Sequence, residues 1–562
     1  MNTKKMLVFF MVLTLLVSLL TGCGGGADTG VSTLKGNEDS APKGDPTTTS
    51  GQTDKIIRYT MTVTPKLDPC VGSDLASASV FVNMYDTLVL PQSDGSVKPW
   101  LATEWKVSDD NLTWDFKIRE GVKFHGGNDL TAKDVAYSMN RIITIGEGYG
   151  YLFRGRIAEA KAIDDSTVRF VCTEPYGPFL STLVRLYIVD SELIEANLKK
   201  EGNYGDKGDY GKNFLLENDA GSGPYKLKEI KQNIHVSAEK FEDYWADFDK
   251  NNPDEFKCIG SNESVTVKTM MSRKELEIAD HYQTAENTAA MGQIEGVKIA
   301  SSITGAIMVL TMNNQLPPTD DVHYRKALAY MVDYATISKN IFPESTKSKS
   351  IVPSILLGYN ENMFPYDYNL EKAKEELALS KYANNLKDYP LEVAWVAETP
   401  DREKLALTLQ ATAQTIGLPI KIVKTPWSTI VEKVANSDTT PNCITVVCPP
   451  YYSEAGTTLE SQVRSKTIGT WENASWINND KLDTMIDDAI ATIDIDERIQ
   501  KYKDIQAYMT ELCPLIPVVA QPERTAYQAS YVDWKAAMPD ELIPVMGYKY
   551  YMKNIYVYPE RK

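Results

Sequence analysis

The chain has 562 residues, of which 43% are hydrophobic and 10% aromatic, and its formal net charge is −17. This composition is that of a globular protein long enough to form two or three lobes. The strongly acidic balance argues against nucleic-acid binding and against docking on anionic lipid head groups.

The amino-terminal segment has the features of an export signal, residues 1–22. Lys4 and Lys5 precede an uncharged run, 6–20, that is shorter than the roughly 20 residues needed to cross a bilayer. The following Thr21-Gly22-Cys23 completes a pattern that resembles a bacterial lipobox, which implies cleavage after residue 22 and acylation of Cys23. An ordinary secretory peptide with an incidental cysteine is the alternative. A lipid anchor would hold the protein on the extracytoplasmic face of the cell membrane.

The segment after the lipobox has the composition of a tether. Residues 24–53 are rich in Gly, Ser, Thr, Asp and Pro and contain no aromatic residue. Such a stretch buries too little apolar surface to offset the entropy of ordering, so we predict that 23–53 form a disordered tether. Its root-mean-square reach is roughly 30 Å, from about 5–6 Å times the square root of its length.

Cysteine and histidine spacing gives no sign of a cofactor. Six further cysteines are scattered over the chain, and their even number permits disulfides without forming a disulfide framework: Cys70, Cys172, Cys258, Cys443, Cys448 and Cys513. The histidines stand far apart, whereas a zinc site needs tight ligand clusters, so we expect neither a metal nor another cofactor. The chain also lacks the nucleophile-elbow, zinc-protease and phosphate-loop motifs, which lowers the expectation of an enzyme.

From residue 54 onward, strand and helix patterns alternate. Stretches 56–63 and 112–118 are β-branched or alternate apolar with polar residues, as strands do. Thr131 followed by Asp134 predicts a capped helix start. Further helices are predicted at 324–331, at 370–379 after the cap Asn369, and at 404–416, 480–493 and 499–512, with strands at 391–395 and 419–423. Without a repeat of 20–50 residues, this mixture favours α/β lobes.

Several blocks of sequence then resemble one family. The blocks are 85–89 (YDTLV), 99–105 (PWLATEW), 114–125 (WDFKIREGVKFH), 130–135 (LTAKDV), 221–227 (GSGPYKL), 324–328 (YRKAL), 369–373 (NLEKA) and 414–417 (QTIG). In this order they resemble extracellular solute-binding protein family 5, the dipeptide, oligopeptide and nickel type that serves ABC importers. His125, beside a turn, is predicted to be structural.

The resemblance implies a fold of periplasmic-binding-protein-like type II, with two α/β lobes, a ligand cleft between them and an inserted subdomain. Transferred by position, lobe I comprises 54–92, 206–305 and 520–562. The insert is 93–205 and lobe II is 306–519. A ligand that contacts both lobes would stabilise the closed form, so no catalytic residue is required.

The stretch after residue 446 bears on the ligand. In peptide-binding relatives, a Trp-x-x-Asp-like stretch supplies a carboxylate to the peptide's ammonium, and here Cys448 and Tyr451 stand at the corresponding positions. Glu454 could substitute only if the loop shifts by three residues. Tyr451 and Tyr452 offer flat faces with hydroxyl tips, which suit a larger or sugar-like ligand, or they pack inside the protein.

Other candidate ligand contacts come from residues that follow predicted strands or turns. They are Ser73 and Asp74 in lobe I, and Trp395, Glu398, Trp427 and Trp471 in lobe II. Each has packing within its own lobe as the alternative. We predict a monomeric receptor that delivers a peptide or similar small solute to an ABC permease complex. A sensing lipoprotein that docks on a membrane signalling protein, a binder of oligosaccharides, opines or metal chelates, and an exported hydrolase are the alternatives.

Overall fold

The computed structural model describes residues 55–361 and 363–562. The predicted export signal, the acylation site Cys23 and the predicted tether lie outside the described residues. The described part folds as one compact unit of mixed helices and strands, which confirms the predicted α/β class. Within it, no helix combines the length and the apolar character needed to cross a membrane.

The first sheet, called the first-lobe sheet, unites strands far apart in the chain. Its order is Ile56–Thr60, Glu255–Ile259, His235–Lys240 and Tyr225–Lys231. The first pair is parallel and the others are antiparallel. The β-branched run at the start of the body therefore supplies an edge strand, and its far end leads towards the centre of the molecule.

A second sheet, called the insert sheet, is wholly antiparallel. Its order is Ala102–Val107, Thr113–Ile118, Thr167–Cys172 and Ile157–Asp164. Phe116 and Ile118 are buried and their neighbours are partly exposed, as the alternation of Thr113–Ile118 predicts. Helix Ala132–Ile145 packs on this sheet.

The third sheet, called the second-lobe sheet, has six strands. Its order is Thr346–Lys347, Leu515–Ala520, Ile307–Met312, Cys443–Cys448, Leu391–Val396 and Ile420–Thr425. The last three run parallel to one another, so their carboxyl ends lie at one edge of the sheet. All residues of Ile307–Met312 are buried, as expected of a central strand. The strands of the three sheets fall within the predicted lobe segments apart from Ala520, and the exact lobe boundaries remain a prediction.

The remaining strands form pairs, and helices cover the sheets. The pairs are Val89–Pro91 with Val97–Pro99, Lys298–Ser302 with Glu523–Tyr527, and Val532–Trp534 with Ile555–Val557. The helices are Leu75–Met84, Ala132–Ile145, Phe179–Thr182, Ser191–Ala196, Ser264–Ser272, Ala285–Met291, Val322–Met331, Tyr334–Asn340, Leu370–Leu379, Asp401–Thr415, Trp427–Lys433, Gly456–Val463, Asp480–Ala491 and Ile495–Leu512.

Helix starts agree with the predicted caps. Thr131 and Asp134 form a reciprocal capping box, and the Asn369 side chain accepts from the Lys372 N–H. Two starts were predicted too late. The helix expected from 404 begins at Asp401, and the helix expected from 499 begins at Ile495, capped by Asp494. The starts were predicted too late because the spacing of apolar residues identifies the buried middle of a helix and not its first turn.

The chain crosses between the lobes at two adjacent places. Ser302 ends a strand of the first lobe and Ile307 begins a strand of the second, while Ala520 and Glu523 bound the return crossing. Gly305, in the first crossing, has a φ of 80°, which favours glycine. These short connections are the hinge region implied by the resemblance.

The sequence blocks that carry the family resemblance meet at a buried carboxylate. Asp86 accepts hydrogen bonds from Trp100, Tyr244 and Trp245 and from the Ser222 hydroxyl. Burial raises the pKa of Asp86 although these donors favour its charged form. Three of the shared motifs, those that contain Asp86, Trp100 and Ser222, therefore hold the insert against the first lobe.

His125 is structural, as predicted. Its ring joins the Asp219 carboxylate (2.7 Å) to the Gly223 carbonyl (2.9 Å). Burial disfavours the charged ring, but the carboxylate outweighs this and raises the pKa of His125. The six cysteines of the described part are buried and unpaired, and no cluster of His, Cys, Asp or Glu there could hold a metal ion.

Candidate functional site

A cavity of about 110 Å³ lies between the two lobes and is the candidate ligand site. The first lobe contributes the end of strand Ile56–Thr60 and the start of helix Leu75–Met84. The second lobe contributes the carboxyl ends of its three parallel strands, where Val396 and Val447 line the wall. Crevices at the carboxyl ends of parallel strands are the usual ligand sites of α/β sheets.

Four of the predicted contact residues line this cavity: Asp74, Glu398, Trp427 and Trp471. The two tryptophan rings meet edge to face with centroids 5.2 Å apart and form an aromatic wall. Trp427 follows strand Ile420–Thr425 directly, and Glu398 follows strand Leu391–Val396 closely. Both positions that follow strand ends therefore line the cavity, and their contact with a ligand stays a prediction.

Two of the three carboxylates that line the cavity, Asp74 and Glu398, accept hydrogen bonds at the starts of helices and have no cation of the described chain in direct contact. Asp74 accepts from the backbone N–H (3.0 Å) and the hydroxyl (2.9 Å) of Ser77. Glu398 accepts from the Trp427 N–H through both oxygens, at 3.1 and 3.0 Å. Among the described residues, no cationic side chain lies within salt-bridge distance of either carboxylate. These hydrogen bonds fix the positions of the two carboxylates at the cavity wall.

Five predicted contacts lie outside the cavity lining: Ser73, Trp395, Tyr451, Tyr452 and Glu454. Ser73 precedes the helix cap and does not reach the wall. Trp395 is 2% exposed and packs in the core of the second lobe, because neighbouring side chains of a strand point to opposite faces. Val396 takes the wall position instead.

Tyr451, Tyr452 and Glu454 occupy the interface between the second lobe and the insert. The Tyr451 hydroxyl donates to Glu472 (3.2 Å) and its carbonyl accepts from Arg185 (2.8 Å). Tyr452 donates to Glu460, and Glu454 pairs with Arg498 at 2.9 Å. After Pro449 the chain turns away from the cavity, so Tyr451 packs against the insert, while Tyr452 and Glu454 bond within the second lobe.

Arg402 is the main site residue that the sequence analysis missed. It lines the cavity, is 6% exposed, and donates one side-chain hydrogen bond, to the Thr445 carbonyl at 3.2 Å. No carboxylate of the described chain lies within 4 Å of it, and burial lowers its pKa to about 10. The charge of Glu398 favours the guanidinium from beyond salt-bridge distance but does not outweigh burial, so this group is poised for a closer anionic partner.

A second charged group forms the floor of the cavity next to the hinge. Glu523 pairs with Lys549 (3.1 Å) and lies 3.4 Å from the ring of His281. Burial disfavours the charge of Glu523, but His281 and Lys549 outweigh it and lower its pKa. Burial lowers the pKa of His281 to about 4, although the Glu523 charge opposes this shift. The Glu523–Lys549 pair is therefore compensated, whereas Arg402 has no carboxylate of the described residues in direct contact.

Glu472 lies behind the aromatic wall, one residue after Trp471. It is 8% exposed, and its side-chain partner is the Tyr451 hydroxyl. Burial raises the pKa of Glu472 to about 7. No cation of the described residues pairs with it, so this carboxylate titrates near neutrality at the junction of cavity wall and insert.

The lobes touch each other around the cavity. Lys404 of the second lobe pairs with Glu286 of the first at 2.8 Å, and Asp401 accepts from the Ala285 N–H at 3.2 Å. On the insert side, the Gly177 N–H donates to the Ile490 carbonyl at 2.9 Å. The structure is thus a closed arrangement in which both lobes surround the cavity.

Comparison with known proteins agrees with this geometry. A family model described as "Bacterial extracellular solute-binding proteins, family 5 Middle" matches residues 96–465. A similar protein is the probable D,D-dipeptide-binding periplasmic protein DdpA of Escherichia coli strain K12. It is 27% identical over 446 residues, which cover 78% of this chain and 83% of that protein.

Solved structures share the fold over most of the chain. The periplasmic binding protein DppA from Helicobacter pylori, in complex with peptide STSA, superposes with a TM-score of 0.77 at 21% identity. It covers 90% of this chain and 98% of its own. AgaA from A. tumefaciens R10, in complex with agropinic acid, gives a TM-score of 0.74 at 22% identity, covering 89% and 98%. The fold is that of a type II periplasmic binding protein, and the chain belongs to the bacterial extracellular solute-binding proteins of family 5.

Proposed function

We propose that this protein is the lipid-anchored extracytoplasmic receptor of an ABC importer and that it binds peptides with free termini. The observation that carries the proposal is the charge pattern of the cavity. Within the described chain, Arg402 faces it with no carboxylate within 4 Å, and the more distant charge of Glu398 compensates the guanidinium only in part, while Asp74 faces it with no cation within salt-bridge distance. A zwitterionic peptide supplies both missing partners in one ligand.

Each terminus of a peptide matches one of these groups. A ligand carboxylate would form charge-assisted hydrogen bonds with the Arg402 guanidinium, which are stronger than neutral ones. The peptide ammonium would be paired by Asp74 or Glu398, so that no buried charge stays uncompensated. Trp427 and Trp471 then offer an apolar wall for a side chain.

Closure follows from the distribution of these groups over the two lobes. Asp74 belongs to the first lobe, and Glu398 and Arg402 belong to the second. A ligand that contacts both lobes binds the closed form more tightly than the open form. It stabilises the closed form by that difference in binding free energy. The crossings at 303–306 and 521–522 are short enough to act as the hinge. No bond is broken in this account, and we propose no catalytic residue.

The relatives support a peptide ligand without deciding it. The similar E. coli protein is named for D,D-dipeptides and the H. pylori structure holds a tetrapeptide, whereas AgaA holds agropinic acid. Peptides and agropinic acid are therefore the two ligand classes to compare in the binding test. Lipid anchoring through Cys23 and a monomeric state complete the proposal.

The experiment is a thermal-shift and calorimetric titration of the full chain with Ala-Phe, Ala-Ala and a tetrapeptide. N-acetylated and C-amidated forms of the same peptides serve as controls. Saturation at 100 times Kd should stabilise the protein by about 2.7 kcal/mol, seen as a raised Tm. Blocking either terminus should weaken binding. Equal binding of blocked and free peptides, or binding of agropinic acid alone, would contradict the proposal.

A further inference from the structure

A second cavity of about 80 Å³ adjoins the first one. The two cavities share wall residues around Arg402, among them His281, Tyr282 and Val447. They are therefore two chambers of one cleft, with the guanidinium at the neck. We call the adjoining cavity the second chamber; its own lining includes Gln283, Ala285, Thr288, Met308, Phe342 and Gln521.

The wall of the second chamber combines apolar and polar side chains and comes from both lobes. Ala285 and Thr288 belong to a first-lobe helix, Ala285–Met291. Met308 stands on the central strand of the second lobe and Phe342 follows helix Tyr334–Asn340. Phe342 and Met308 are 9% and 1% exposed. The apolar part of this wall favours an apolar body over a hydrated group.

Two carbonyl oxygens in this wall lack a partner among the described residues. Gln283 is only 7% exposed. Its side-chain Nε2 donates hydrogen bonds to the Asn262 carbonyl and to the Asp280 carboxylate, both at 2.9 Å. These acceptors fix the amide orientation, which leaves Oε1 unpaired. The Oε1 atom of Gln521 is unpaired as well. Buried unpaired acceptors cost about 1–3 kcal/mol each unless a donor reaches them.

The charged groups of the second chamber are paired, apart from Arg402. Arg524 lies 3.1 Å from Glu344, and Asp401 lies 2.9 Å from Lys404. Glu523 has Lys549 as its partner. When a ligand carboxylate pairs with Arg402, every charged side chain in the chamber wall has an ion-pair partner. It therefore suits a side chain that is apolar along its length, uncharged, and tipped with an N–H or O–H donor.

We propose that the second chamber receives the side chain of the ligand's carboxyl-terminal residue and selects tyrosine or tryptophan there. This inference rests on the proposed function, because the carboxylate on Arg402 is what brings that residue to the neck. The donor at the tip of the ring pairs with the free oxygen of Gln283 or Gln521. Phenylalanine fills the same space and leaves both oxygens unpaired.

The test is calorimetry of the full chain with Ala-Tyr, Ala-Phe and Ala-Gly. Wild type should bind Ala-Tyr at least about tenfold more tightly than Ala-Gly, and several-fold more tightly than Ala-Phe, because one hydrogen bond contributes about 1 kcal/mol. Ala285→Phe fills the second chamber without lining the first. It should abolish the preference for Ala-Tyr while keeping the affinity for Ala-Gly.

Ala289→Phe is the matched control, since Ala289 is exposed on the same helix and lines neither cavity. It should keep the wild-type preference. Ala285→Leu is a smaller insertion that replaces Ala285→Phe if the latter does not fold. If peptides bind but the carboxyl-terminal residue makes no difference, or if Ala285→Phe leaves the preference unchanged, the chamber assignment is overturned and the proposed function stands. If no peptide binds to wild type, both are overturned.

Discussion

The Thr304 hydroxyl donates a hydrogen bond of 2.9 Å to the Glu523 carboxylate and thereby ties together the two chain crossings between the lobes. The same carboxylate pairs with Lys549 of the carboxyl-terminal segment, 3.1 Å away. Since Glu523 and Lys549 also line the cavity, the hinge and the cavity floor form one connected network. Changes at this carboxylate should therefore affect both stability and binding.

Glu523→Gln should destabilise the fold by about 3 kcal/mol, because it leaves the buried Lys549 ammonium without a counter-ion. Urea unfolding followed by circular dichroism measures the loss. Glu344→Gln is the matched control, because Glu344 pairs with Arg524 at a half-exposed position where an ion pair contributes at most about 1 kcal/mol. Equal effects of the two substitutions would show that Glu523 and Lys549 do not depend on each other.

Arg402→Gln should weaken binding of peptides with a free carboxyl terminus by about 10- to 100-fold, since a hydrogen bond to a charged group contributes about 1.5–3 kcal/mol. The variant should also lose discrimination against the C-terminal amide. Calorimetry with the paired peptides separates these effects. Arg169→Gln, which removes a guanidinium paired with Asp115 in the insert sheet, should bind as wild type does. Retained discrimination in Arg402→Gln would remove Arg402 from the site.

Glu472 should make stability depend on pH between about 4.5 and 7. Because burial raises its folded-state pKa to about 7, the folded protein retains a proton that the unfolded chain loses near 4.5. This contribution to the unfolding free energy is complete below the pKa of Glu472 in the unfolded chain and is lost as pH rises through its pKa in the folded protein. The total loss is about 3 kcal/mol. Glu472→Gln should remove this dependence. The unfolding free energy of the variant minus that of wild type should therefore increase from pH 4.5 to pH 7.5. A constant difference would contradict the assignment.

Cys23→Ala should release the protein from the membrane without changing its affinity for the ligand. Cys23 precedes the predicted tether and lies outside the described residues, so the substitution should leave the contacts of the cavity residues unchanged. Membrane fractionation and calorimetry on the released protein measure the two properties. Unchanged membrane association would reject the lipid anchor, and a large loss of affinity would reject a passive tether.

Sequence patterns were enough to predict most elements of this fold. The cap Asn369 and the apolar spacing after it define helix Leu370–Leu379 with its observed bounds. Strand ends led to Glu398 and Trp427, because the chain leaves a parallel sheet at the edge where the cavity forms. The α/β class followed from these local signals, whereas the type II fold was implied by the family motifs alone.

The rest of the site depends on long-range folding. Arg402 stands in the first turn of a helix, before the apolar spacing begins, so its position gave no signal of a cavity. His281 and Lys549 are brought together only by the packing of distant segments. Tyr451 was predicted to contact the ligand because it stands where peptide-binding relatives carry a carboxylate. The direction of the chain after Pro449 is set instead by the contact with Arg185 of the insert, and local sequence spacing does not encode that contact.

The most direct test of the central claim is mass spectrometry of the full chain purified from cells and compared under native and denaturing conditions. The account predicts native mass increments that disappear on denaturation and fragment as peptides with free carboxyl termini. A single non-peptide increment, or an empty protein that no peptide library stabilises, would contradict a peptide receptor.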